Sequence, residues 1–259
     1  MNLELQDKVI LVSGGAAGIG SAIVTAAARE GAIPIIIDRN EETARALAKN
    51  LRAEGLRCEV VLLELKTADD CRLAVEDALR LHAKIDALVN NAGVNDGVGL
   101  EHGNPERFQQ SVHSNLMHYY ALAHYALPAL KLTSGSIVNI ASKVALTGQG
   151  NTSGYAAAKG AALALTREWA VELLPFGIRV NAVLPAEVMT PLYRHWISTF
   201  PEPDAKLKSI ERSIPLGHRM TTPEEIASTV IFLLSPRSSH TTGQFLHVDG
   251  GYAHLDRAL

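Results

Sequence analysis

Tyr155 and Lys159 stand four residues apart in SGYAAAKGAALALTREWAVELL, an alanine-rich stretch that reads as a helix. Residues at i and i+4 share one helix face, so a phenol and an ammonium are expected side by side. A tyrosine hydroxyl normally titrates near ~10. A neighbouring cation favours its ionised form, which makes it usable as a proton acceptor. Such pairs also arise in helices that do no chemistry, so this one needs company. Ser142 supplies it, thirteen residues upstream, just after the apolar, β-branched run GSIVNIA. That run has the character of a buried strand. Open α/β sheets place their ligands at the C-terminal ends of strands, where Ser142 can hydrogen-bond the same substrate oxygen as Tyr155.

The elements that position these groups begin at the N-terminus. KVILVSGGAAGIGSAIVTAAAREGA opens with an apolar strand, Lys8 to Val12, and turns through Gly14, Gly15, Gly18 and Gly20. A helical pattern follows from Ile19 to about Glu30. Glycine lets the backbone approach a ligand closely, and a helix N-terminus offers free N–H groups to a phosphate. The spacing Gly14-x3-Gly18-x-Gly20 is a looser relative of the dinucleotide fingerprint. The second strand, IPIIID, ends at Asp38, eighteen residues past Gly20. A carboxylate there can bind a ribose 2′-hydroxyl and would repel a 2′-phosphate. Asp38 therefore points to NAD. Arg39 beside it keeps NADP open as the alternative, because an arginine can bind a 2′-phosphate.

Strands read at about 8–12, 34–38, 58–64, 85–90, 136–140, 178–184 and 244–248. Helices read near 18–30, 41–54, 68–82, 104–131, 153–174 and 223–235. Repeated βα units with short buried strands imply a parallel sheet covered on both faces, and right-handed crossovers make it doubly wound. We expect one α/β domain over residues 1–259, with about seven strands. Residues 186–221 break the rhythm with four prolines and the bulky Tyr193, Trp196 and Phe200. A long excursion in a compact domain is usually functional; a substrate lid is expected there, a short helix around Pro191–Thr199 followed by a loop.

Composition narrows the function classes. Apolar residues make up 47% of the chain, enough for a sizeable core, and the net charge of −3 gives no electrostatic case for nucleic acid or anionic membrane. No apolar run reaches the ~18 residues a membrane span needs. The opening MNLELQDK carries acids early and lacks the basic and apolar regions of a signal peptide. Cys58 and Cys71 are too few for a disulfide framework and are expected to be reduced, as in a cytoplasmic enzyme. No metal-ligand set is read.

Together these motifs resemble the short-chain dehydrogenase/reductase family across essentially the whole chain. The matching residues are Ser13-Gly14, Gly18-Ile19-Gly20, Asp86, Asn90-Asn91-Ala92-Gly93, Asn115, Ser142, Tyr155, Lys159, VNAVLP at 180–185, Thr190 and TGQFLHVDGG at 242–251. The resemblance implies a Rossmann-like sheet and hydride transfer between a carbinol and NAD(P). It implies a catalytic tetrad of Asn115, Ser142, Tyr155 and Lys159. Tyr155 would be the acid/base, Ser142 would orient the oxygen, Lys159 would bind the nicotinamide ribose and tune Tyr155, and Asn115 would steady a helix and a relay water. It further implies cofactor contacts from Ser13, Gly14, Gly18, Ile19, Gly20, Asp38, Arg39, Glu64, Leu65, Asn91, Ala92, Gly93, Tyr155, Lys159, Pro185, Val188 and Thr190. Two positions depart from the family pattern: Pro185-Ala186 replaces the usual Pro-Gly, and Glu64 stands where an aspartate is common.

The substrate wall should come from VNDGVGLEH, KVALTGQG and AEVMTPLYRHW, which are rich in hydrogen-bonding groups. A site built to bind hydroxyls discriminates strongly because its polar groups would otherwise be left unpaired, which favours a sugar. NDGVGLEHG and LPAEVMTPLYRHW also resemble L-fucose dehydrogenases within the family, implying oxidation of an anomeric carbon to the lactone. Asn95, Ser142, Gln149, Tyr155, Glu187 and Trp196 are the candidate sugar contacts. The alternatives are 3-oxoacyl thioester reduction, oxidation of a simple secondary alcohol, or a dinucleotide-binding regulator without catalysis. The family implies a homotetramer packed through the 104–131 and 153–174 helices, and the last residues, His254 to Leu259, are candidates for reaching a neighbouring subunit.

Overall fold

The computed structural model describes residues 2–255. In chain order the elements begin β1 (Val9–Ser13), α1 (Gly18–Arg29), β2 (Ile33–Asp38), α2 (Glu41–Ala53), β3 (Glu59–Leu62), α3 (Ala68–His82) and β4 (Ala87–Asn90). There follow α4 (Pro105–Val112), α5 (His118–Thr133), β5 (Ser136–Ile140), α6 (Ser153–Glu172) and β6 (Arg179–Pro185). The chain then runs through α7 (Pro191–Ser198), α8 (Pro203–Arg212), α9 (Pro223–Leu234) and β7 (Phe245–Val248). The strands form a seven-stranded sheet in the order β3-β2-β1-β4-β5-β6-β7. Every pairing is parallel, as in Ser13 opposite Ile37 and Asn90 opposite Asn139.

The strands are apolar at nearly every position because both faces are covered. Along β1 the side chains alternate between two cores. Ile10 and Val12 face the layer of α1 and α9, packing in one cluster with Val24 and Val230. Val9 and Leu11 face α3, α5 and α6, in a cluster with Ala74, Leu122 and Trp169. The order reverses between β1 and β4, and the crevice above that point is where sheets of this kind bind ligands.

Two expectations require correction. The 104–131 helix is not continuous: a π-helical turn, His113–Met117, separates α4 from α5, and α5 continues to Thr133. The lid does not pass from a helix into a loop; a second helix, α8, follows α7. α6 buries Leu163 and Trp169 and leaves the apolar Val171 67% exposed. Both cysteines are buried and unpaired. Among the described residues, no helix is long and apolar enough to cross a membrane. Of the tail expected to reach a neighbour, residues 256–259 lie outside the described residues.

Candidate active site

Above the C-terminal ends of the strands lies a cavity of about 770 Å3. Its floor is the turn between β1 and α1. Gly14 and Gly18 hold φ of +63° and +56°, which side chains rarely adopt. A Cβ on Gly14 would stand 3.0 Å from the Ala92 Cα, and one on Gly18 would stand 3.2 Å from Thr190 Cγ2. The N-cap of α1 is Ala17, which cannot cap, and the first turn holds no acid. α3 and α9, by contrast, begin with complete capping boxes. The first N–H groups of α1 are thus without side-chain acceptors, beside a cavity lined by Gly14, Gly18 and Ile19. That is the arrangement a pyrophosphate needs.

Ser13 and Gly20 build the turn rather than line it. The buried Ser13 hydroxyl accepts from the Asn91 and Ala92 amides at 3.0 and 3.1 Å, which ties the tip of β1 to the tip of β4. Gly20 packs its Cα against the Gly14 carbonyl. Asn91 donates from its side-chain amide to the carbonyls of Ser13 and Gly14 at 3.0 and 3.1 Å.

At one end of the cavity Asp38 accepts from the amides of Ala16 and Asn40 at 3.1 and 3.0 Å. Arg39 turns to Glu64 at 2.7 Å, and Lys66 joins the same carboxylate at 2.6 Å. These contacts to Lys66 and Arg39 hold the Glu64 carboxyl below its ordinary range. Asp38, Arg39, Glu64 and Leu65 all line the cavity. The shape, the uncapped helix and this carboxylate fit a dinucleotide with its adenosine at the Asp38 end.

The other end gathers the reactive side chains. Ser142, Tyr155 and Lys159 share one wall with Ala92, Gly93, Pro185, Val188 and Thr190. Ala186 lies outside the left-handed region, so alanine suits the loop where the family usually has glycine. Burial pushes Tyr155 up to about 12, opposed by a hydrogen bond with Ser142. Burial also pushes Lys159 down to about 7. The sequence expectation that the ammonium directly depresses the phenol is corrected here. Lys159 Nζ lies 5.6 Å from the Tyr155 ring centre, and donates instead to Tyr119 Oη at 2.7 Å and to the Ile140 carbonyl at 2.8 Å. Removing both groups from water disfavours the charged form of each, and this outweighs their proximity along the helix.

Asn115 sits in the π-helical turn, fully buried and outside the cavity lining. It accepts from the Val94 amide at 2.8 Å and donates to the Ser111 carbonyl at 2.9 Å. A Cβ on Gly93 would lie 2.9 Å from Asn115 Oδ1 and 3.5 Å from Lys159 Nζ, which brings Asn115, Gly93 and Lys159 to one point.

The candidate sugar contacts are less concentrated. Asn95 and Gln149 are exposed on their loops. Trp196 is 43% exposed and meets Tyr193 and Phe200 edge-on. Glu187 is inward but already engaged: it pairs with Lys143 and accepts from the Tyr193 hydroxyl at 2.6 Å. None of these four lines the cavity directly, although Ala186, Val188 and Tyr193 do. Lys143 also lies 4.1 Å from the Tyr252 ring centre.

Several groups escape a reading of the sequence. His118 lines the cavity and donates to the Ala92 carbonyl at 3.1 Å; burial pushes it down to about 4, so it is neutral. Tyr119 and Lys143 are the others. A histidine or tyrosine within an apolar run reads as core, and only the fold reveals what it faces.

The chain is similar to known proteins over nearly its whole length. Residues 14–253 match the family model described as enoyl-(acyl carrier protein) reductase. L-fucose dehydrogenase of Bos taurus is 34% identical over 252 residues, 97% of this chain and 91% of that one. The 3-oxoacyl-[acyl-carrier-protein] reductase FabG of Thermotoga maritima is 35% identical, covering 96% and 99%. The crystal structure of the Cj0485 dehydrogenase superposes with a TM-score of 0.94 at 47% identity, covering 100% of this chain and 99% of that one.

Proposed function

The chain belongs to the short-chain dehydrogenase/reductase family, whose members act on CH–OH groups, and from that premise we propose that it oxidises the anomeric carbon of L-fucose or a similar aldose to the lactone. The observation that carries the reading is the convergence of Ser142, Tyr155 and Lys159 on one wall of a cavity with a dinucleotide cradle at its floor. Bound NAD(P)+ would supply the hydride acceptor. Tyr155, as phenolate, takes the hydroxyl proton of the substrate, whose carbon gives up a hydride, so two electrons and two protons, one of them within the hydride, leave the carbinol. Ser142 holds the same oxygen, and Lys159 offers its free N–H to the cavity. Asn115 holds the loop after β4 against the helix that carries it.

NAD is the proposed cofactor. Asp38 stands where a 2′-phosphate would be repelled, and the Arg39 guanidinium is engaged by Glu64. The polar group of Lys143, Glu187 and Tyr193 behind the substrate wall, together with the fucose dehydrogenase relatives, supports a sugar. FabG at similar identity supports the second reading, reduction of a 3-oxoacyl thioester. The outward apolar residues of α5 and α6, Tyr120, Leu132 and Val171 among them, support a homotetramer. The buried, unpaired cysteines support a reducing, cytoplasmic setting.

A panel of aldoses, polyols, cyclic alcohols and 3-oxoacyl thioesters, run with both nicotinamide cofactors and read at the absorbance of the reduced form, tests this. L-fucose with NAD+ should give the highest kcat/KM. A higher value for any thioester or simple alcohol overturns the sugar assignment.

Glu187 gives a narrower test. Glu187→Ala leaves the Lys143 ammonium, only 8% exposed, without its carboxylate. Breaking a buried ion pair costs about 3–5 kcal/mol, so the melting temperature should fall and KM for the best sugar should rise. If neither moves, Glu187 has no part in the substrate wall.

A further inference from the structure

Tyr119 is fully buried, four residues beyond Asn115 and at the start of α5. Its hydroxyl donates to the Ile140 carbonyl at 2.9 Å and accepts from Lys159 Nζ at 2.7 Å. Lys159 in turn donates to that same Ile140 carbonyl at 2.8 Å. These three contacts close a triangle between α5, α6 and the tip of β5. Those elements adjoin or carry Asn115, Tyr155 with Lys159, and Ser142 respectively, so one phenol ties together the scaffold of the whole reactive wall.

We propose that Tyr119 is a positioning residue for the reaction, holding Lys159 Nζ so that its remaining N–H is aimed into the cavity, where a dinucleotide would meet it. The inference rests on the catalytic reading of Tyr155 given above. A primary ammonium has three N–H donors. Tyr119 and Ile140 take two, leaving the third for the cavity that Lys159 lines. Among the described residues no carboxylate pairs with Lys159. The titratable groups around it are Tyr155 on its own helix, with Tyr119 and His118 on α5. His113 acts on His118 from the π-helical turn. None of these supplies a negative charge at neutral pH, so burial acts against the lysine's charge. The Tyr119 oxygen is its acceptor besides a backbone carbonyl, and bonds to a charged donor are the stronger kind.

Tyr119→Phe keeps the ring and removes the hydroxyl, both the acceptor for Lys159 and the donor to the Ile140 carbonyl. Loss of that acceptor lowers the tendency of Lys159 to hold its proton and frees its side chain from the triangle. In nucleotide-free protein, carbon-13 NMR of the lysine Cε groups identifies the Lys159 titration step as the one missing from Lys159→Ala. In Tyr119→Phe that step should move down by about one pH unit, and NAD+ should bind about tenfold more weakly in calorimetry. An unmoved titration step and unchanged affinity, with only a lower melting temperature, would reduce Tyr119 to a packing role. If Tyr119→Phe does not fold, site-specific 3-fluorotyrosine at position 119 decides the matter. It keeps the hydroxyl and nearly the same volume but weakens the acceptor, and should give the same shift at smaller size; no shift overturns the proposal. Near-full turnover in Tyr155→Phe would instead remove the underlying catalytic reading, a separate outcome.

Discussion

Tyr155→Phe should lower kcat by about 10²–10⁴, the usual worth of a general base, while leaving the melting temperature and dinucleotide affinity close to wild type. The phenyl ring fills the same space on α6, so the loss falls on the proton transfer alone. The pH dependence carries the second half of the prediction. Burial raises the Tyr155 pKa to about 12 against the pull of Ser142. The phenolate fraction therefore grows as pH rises toward that value, and oxidation by the wild type should accelerate through the alkaline range. The variant should lose that acceleration. Stopped-flow rates and steady-state kcat between neutral and alkaline pH check both parts. Near-full turnover in the variant, with the alkaline rise intact, would place the proton acceptor elsewhere.

Gly20→Ala should abolish useful cofactor binding through a different physical route. The added Cβ would lie 2.0 Å from the Gly14 carbonyl oxygen and 2.8 Å from the Asn91 amide nitrogen. The first of these is backbone, so no flexible side chain can swing aside. Gly14 is itself held by the hydrogen bond its N–H donates to the Ile37 carbonyl at 2.8 Å, and α1 is packed into the core through Ile23 and Val24. The turn and the helix must therefore separate, carrying the uncapped N–H groups away from a phosphate. A displacement of this size typically costs about 10² in function, and forcing a methyl into a packed site costs about 1–3 kcal/mol of stability. Calorimetric titration with NAD+ and a thermal melt measure the two effects. Gly148→Ala is the control, because its Cβ would meet open space, and it should bind as wild type does. Equal affinity in Gly20→Ala would mean the turn can yield without disturbing the ligand groups.

Much of the fold was legible because both faces of the sheet are covered. A strand buried twice over is apolar throughout, and IPIIID or GSIVNIA shows this without any alignment. The glycine turn was legible for a related reason: at Gly14 and Gly18 a left-handed backbone coincides with neighbours at 3.0–3.2 Å from any added Cβ. What stayed hidden required knowledge of three dimensions. The polar segment PDAKLKSIER reads as loop, yet Pro203 simply opens α8 at its first turn, where proline is well placed. Lys143 and Glu187 are 44 residues apart, and nothing local joins them. The i, i+4 spacing of Tyr155 and Lys159 fixed their shared helix face but not the direction of the long lysine stem, which reaches instead to Ile140 and Tyr119. The π-helical turn at Asn115 escaped because its extra residue leaves no mark on a short amphipathic pattern.

The alternation of β1 between two cores has a consequence for the chemistry as well as for packing. Each strand is a partition wall, and sliding it by one residue against its neighbour would exchange what the two rooms receive. Ser13 at the tip of β1 is aimed by that same pleat at the Asn91 and Ala92 amides. The bulk that keeps Ile10 and Leu11 on their proper sides therefore also keeps the tip of β1 tied to the tip of β4, so the hydrocarbon interior acts as the gunsight of the reactive end.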